Sequence, residues 1–148
     1  MRQVKKLTDF LIQIMAKKKE SSQREIKNLI DQSLHELTGG KSEEFNELSL
    51  KETLDVLKHK GKLDAELAVV IADILFERIA LLDQKDAEHC SSQALLLYNI
   101  AIKDSDIAFP LQSIKKISDL NKKLNDSEKL HEVNKILQER YPPSTAAP

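Results

Sequence analysis

The residues of this chain that can do acid–base or metal chemistry are few and scattered. Histidines stand at His35, His59, His89 and His131, each in a different predicted helix, and Cys90 is the single cysteine. His89 and Cys90 are adjacent. Neighbours on a helix point about 100° apart, so they do not form the hydrogen-bonded nucleophile and base of a cysteine hydrolase. A buried Cys90 beside an exposed His89 is the expectation. Asp86-x-x-His89 and Glu128-x-x-His131 each place a carboxylate and an imidazole at i, i+3, the spacing that di-iron bundles use on two of their helices. Both pairs fall at helix starts, where the helix dipole favours acids whatever the function, and both histidines flank their apolar stripes. The sequence has no glycine-rich phosphate loop, no His-Glu-x-x-His and no Cys-x-x-Cys. The expectation is therefore a protein with no catalytic residue, no metal and no cofactor.

The other residues with a shared direction are basic. Gln112, Lys115, Asp119 and Lys122 lie at i, i+3, i+7 and i+10, with Lys123 beside them. On a helix they make one polar face opposite an apolar one, suited to an acidic peptide or a terminal carboxylate. A second basic region is Lys17-Lys18-Lys19 with Arg2, Lys5 and Lys6. It supports an alternative in which the first helix lies on an anionic membrane surface or accompanies a nucleic acid.

The elements that must position these faces are helical. Of 148 residues, 41% are hydrophobic, 32% charged and 4% aromatic, with three glycines and four prolines, too few turn signals for a β-sandwich. Val4, Leu7, Phe10, Leu11, Ile14 and Met15 mark an amphipathic helix from about Arg2 to Lys19; Ile26, Leu29, Ile30, Leu34 and Leu37 mark a second that ends at Gly39-Gly40. Ser49 and Glu52 form a capping box opening a short helix that runs to Gly61. Asp64 caps the most apolar stretch, Ala65 to Leu82, which is expected to be the centre of the fold. Later helices carry Ala87, Cys90, Ala94, Leu97, Tyr98 and Ala101; then residues from Phe109 or Pro110 to Leu124; then Leu130, Val133, Ile136, Leu137 and Tyr141, opened by Asp126 or Ser127. The fold class is all-α, with six to eight helices. One domain is expected over 1–141, made of an N-terminal hairpin and short helix (1–62) and two helix pairs (63–141), with 142–148 a disordered tail.

Charge divides along the chain: eight Lys/Arg against three acids over 1–30, eight against sixteen over 31–106, and seven against five over 107–148, for a net charge of -1. A nearly neutral chain is not the strongly basic one that phosphate neutralisation demands, so nucleic acid is not an expected partner. No run approaches the roughly 18 apolar residues of a membrane span. Thr8, Asp9 and Gln13 interrupt the N-terminal apolar segment, which reads as a helix of the folded protein and not as a secretory signal. With one cysteine no intrachain disulfide forms, which suits the cytoplasm.

Ala94-x3-Tyr98-x2-Ala101 resembles the second helix of a tetratricopeptide repeat. Leu130, Asn134 and Leu137 repeat that spacing 36 residues later, with Pro142 at the position of the closing proline. Neither first helix has the repeat's Trp, Leu-Gly and Tyr. From Met1 to about Leu124 the order of elements is similar to a family of uncharacterised bacterial proteins with a domain of unknown function. The resemblance implies a bacterial cytoplasmic helical-repeat protein that binds proteins, so the expected partner is an unknown protein or acidic peptide, with self-association a further option.

Overall fold

The structure is a computed structural model, and it describes residues 2–20, 22–38, 42–59, 62–63, 65–104 and 111–141. The stops at Gly39-Gly40 and Gly61, the caps at Ser21 and Asp64, the Phe109-Pro110 start, the closing Pro142-Pro143 and the tail 142–148 lie outside the described residues.

The chain is all-α, with eight helices among the described residues: α1 (Arg2–Lys19), α2 (Gln23–Thr38), α3 (Ser42–Glu47), α4 (Leu50–Leu57), α5 (Ala65–Ile79), α6 (Gln84–Asp104), α7 (Leu111–Lys123) and α8 (Glu128–Arg140). Between α4 and α5 lies an antiparallel ribbon of two residues a side, β1 (Lys58–His59) and β2 (Lys62–Leu63), paired Lys58 to Leu63 and His59 to Lys62. The short helix thus stops at Leu57, earlier than the expected Gly61, and the ribbon is too small to alter the fold class. The Ser49–Glu52 capping box forms reciprocally, with bonds of 3.0 and 3.1 Å.

Helices α1 and α2 pair antiparallel, as the Lys6–Glu36 and Lys17–Glu25 ion pairs at 2.8 and 2.9 Å require. Leu7 and Ile14 bury against the same core as Ile26, Ile30 and Leu34, and α1 also packs on α5. Met15, expected in the buried stripe, is exposed. Helix α5 ends at Ile79, where the amides of Leu81 and Leu82 fold back onto Arg78 and Ile79 carbonyls.

The centre of the fold is α6, which corrects the expectation that the 65–82 helix holds that place. All nine residues from Cys90 to Tyr98 are buried, and α3, α4, α5, α7 and α8 all pack on α6. Its polar residues are accommodated inside. Ser91 and Ser92 hydroxyls donate to Ala87 and His89 carbonyls of their own helix, and the Gln93 amide donates across to the Phe45 carbonyl and the Thr53 hydroxyl. Hydrogen bonding offsets most of the desolvation that burying polar groups would otherwise impose. Helices α7 and α8 each seat on α6. The turn between them puts Asp126 at φ 61, and Ser127, not Asp126, caps α8 by accepting from the Leu130 amide at 3.2 Å.

Candidate interaction surface

Helix α7 is fastened to the core by both apolar and polar groups. Leu120 is buried, as is Leu124 just beyond the helix, and Ile117 packs against the same core. Ser113 is buried beside them. Lys116 turns inward: its ammonium stands 3.0 Å from Asp73 Oδ1 on α5 and 5.3 Å from the centre of the Phe76 ring. The same carboxylate oxygen accepts from the Tyr98 hydroxyl on α6. Burial, then the Asp73 charge, hold that phenol protonated far above the ordinary tyrosine range.

Lys116 is committed inward, and the side of α7 away from Ile117, Leu120 and Leu124 is left to solvent. Gln112, Lys115, Asp119, Lys122 and Lys123 are all exposed. At 100° per residue they fall within about 100° of arc, and Lys115 and Lys122, seven residues apart, stand about 10 Å apart along the axis. Ile114, 49% exposed, lies outside this arc, about 80° beyond Lys122. No side-chain hydrogen bond or ion pair among the described residues engages Lys115, Asp119, Lys122 or Lys123, and the i, i+4 spacing of Lys115 and Asp119 does not close into an ion pair. What the arrangement offers chemically is two exposed ammoniums on one face of a helix that is packed on the core.

The acid–histidine pairs are differently placed. Asp86 and His89 line a cleft of about 360 Å³ together with Glu47 and Glu132, but among the described residues no three His, Cys, Asp or Glu side chains gather as a metal set would. His89 is half-buried, not exposed as expected, because its Nε2 bonds the Leu48 carbonyl at 2.8 Å and clips the α3–α4 turn to α6. His131 and His35 are exposed on their helices, and the side chain of His59 lies outside the described residues. Cys90 is fully buried with its thiol against the Leu75 carbonyl; burial pushes the thiol up to about 12, against the opposing Arg78 charge. Such a thiol is not a nucleophile at neutral pH.

Two features escaped the sequence. Lys116 differs from Lys115 only in direction, and the residue that turns it inward is an acid 43 positions away. Glu77, on the sparse polar side of α5, is 6% exposed at its side chain and pairs with Lys18 of α1 at 2.9 Å. The signal for it is an acid four residues after Asp73 in a helix whose other polar residues are Glu66 and Arg78.

The fold and surface together define an all-α protein in which a buried central helix carries the others. No described helix is long and apolar enough to cross a membrane. Comparison with protein-family models, curated proteins and solved structures finds no match to this chain.

Proposed function

We propose that this chain is a cytoplasmic, non-enzymatic interaction module whose α7 outer face takes an acidic segment of a partner protein. One observation carries the reading: Lys115 and Lys122 stand exposed and unpaired on the same arc as Gln112 and Asp119, while the intervening Lys116 is spent on the core. A lysine pair on a helix that is packed against the core presents charge with less ordering entropy to lose than a pair on a loop. The burial of Ala94, Tyr98 and Ala101 within the α5–α6 pair supports a tetratricopeptide-like character for that pair. Titrating a labelled oligoglutamate peptide against the protein tests the reading, with an oligolysine peptide as the control of opposite sign.

A second reading, docking of α1 on an anionic membrane surface, rests on Ile12 and Met15, which are 62% and 41% exposed between the exposed Lys5 and Lys19. Its weakness is internal neutralisation. Lys6, Lys17 and Lys18 are paired with Glu36, Glu20 and Glu25, and Glu77, and the main apolar stripe of α1 is covered. Each remaining lysine contributes only about 1 kcal/mol near such a surface. Co-sedimentation with phosphatidylserine vesicles separates the two: the α7 reading expects the protein in the supernatant.

A further inference from the structure

A second site lies at the far end of α5, where the α1–α2 turn crosses it. A cleft of about 340 Å³ opens there between Lys18 of α1, Gln23 and Ile26 of α2, and the last turn of α5. Its walls are mostly apolar: Ile26 is buried, and Phe76, Ala80 and Leu81 complete them. Glu77 lines the same cleft, with its side chain 94% removed from solvent.

The carboxylate of Glu77 has acceptor positions to spare, and its second oxygen is open to the cleft. An ionised carboxylate has about four acceptor positions, and taking one out of water is costly unless those positions are filled. Among the described residues Glu77 has one partner, the Lys18 ammonium at 2.9 Å from Oε1. Its other oxygen has no hydrogen-bond or ion-pair partner among the described residues. Lys18 itself is 57% exposed at its side chain. An alkyl chain with a primary ammonium at its end therefore already sits on this carboxylate, reaching in from solvent.

The surroundings favour the same charge. Glu77 stands in the final turn of α5, the end of a helix at which the peptide dipoles sum to a partial negative charge and stabilise cations. The apolar walls beside it give a hydrocarbon chain a surface to lie on.

We infer that this cleft is a binding site for a small primary amine carried on an apolar chain: the ammonium hydrogen-bonds the second oxygen of Glu77, and the chain lies over Ile26, Phe76 and Leu81. Gln23 closes the rim. Lys18 is then an internal competitor for the carboxylate, so that removing it enlarges the site instead of abolishing it.

The test is a titration of the full chain with n-butylammonium chloride, followed by amide shifts in nitrogen–proton correlation spectra. Saturable shifts at Gln23, Ala80 and Leu81 are expected. Tetramethylammonium, which has no N–H to donate, and 1-butanol, which has no charge, should not reproduce them. In Lys18→Ala half-saturation moves to lower butylammonium concentration, and in Glu77→Gln the shifts are lost. Shifts that grow without saturating, that persist in Glu77→Gln, or that 1-butanol reproduces would overturn the inference. If Glu77→Gln does not fold, the comparison of the three probes on the unaltered chain still decides it.

Discussion

The Tyr98 hydroxyl donates to the Asp73 carboxylate at the point where the same oxygen receives the Lys116 ammonium, so one acid on α5 fastens both α6 and α7. This joint turns Lys116 inward and adds to the apolar contacts that seat α7, whose outer face we propose as the interaction surface. Tyr98→Phe removes a hydrogen bond to a charged group and should cost about 1.5 to 3 kcal/mol in urea unfolding. Asp73→Ala should cost more, since it strands two donors. Equal stability of Tyr98→Phe and the unaltered protein would show that the hydroxyl does not hold the joint.

Alkaline pH should weaken the fold. The Cys90 thiol, ordinarily near 9.0, is pushed up to about 12 by burial, and the Tyr98 phenol is also raised. Unfolded, both groups release protons from about pH 9 to 10; folded, they keep them. The unfolded state then binds fewer protons, so the stability these groups contribute is complete below about pH 9 and falls as pH rises beyond it. Urea midpoints measured from pH 7 to pH 11 should decline above about 9, less steeply in Cys90→Ala. A flat profile would contradict the burial of both groups.

Hydrogen exchange should rank α6 above every other helix. The amides from Cys90 to Tyr98 lie on a segment with no solvent-facing side, and opening it requires releasing the helices on every side. Slower exchange in α5 than in α6 would restore the order suggested by apolar content alone.

Leu75 is fully buried on α5. Leu75→Ala should cost about 2 to 5 kcal/mol through lost transfer energy and a residual cavity. Urea unfolding reads this directly, and a loss within experimental error would place the side chain outside the core.

How far the sequence exposes this fold depends on whether the relevant signal is local. The capping box at Ser49 and Glu52 is legible because both partners lie three residues apart. The all-α class is legible because apolar spacing repeats over whole helices. The centrality of α6 is not, because Ser91, Ser92 and Gln93 read as an exposed polar patch; two of them satisfy their hydroxyls on their own helix, and the third reaches Phe45 and Thr53 some 40 to 48 positions away. Helix α3 escaped for a related reason. It is six residues long, without room for a periodic pattern, and among its described side chains Phe45 is the buried one. On the surface, the exposed directions of Lys115 and Lys122 follow from the apolar positions of Ile117, Leu120 and Leu124. The inward direction of Lys116 follows only from Asp73, which periodicity within α7 does not reveal.

The α7 face is tested most directly by charge reversal. Lys115→Glu with Lys122→Glu leaves the core untouched, and exposed charges of this kind contribute only about 0 to 1 kcal/mol to stability, so the melting temperature should be nearly unchanged. Binding of a fluorescent oligoglutamate peptide, followed by anisotropy, should be saturable for the unaltered protein, should weaken as salt shortens the screening length to about 10 Å at about 0.1 M, and should be lost in the double variant. Undiminished anisotropy in the double variant, or binding indifferent to salt, would contradict the assignment of this face to an acidic partner.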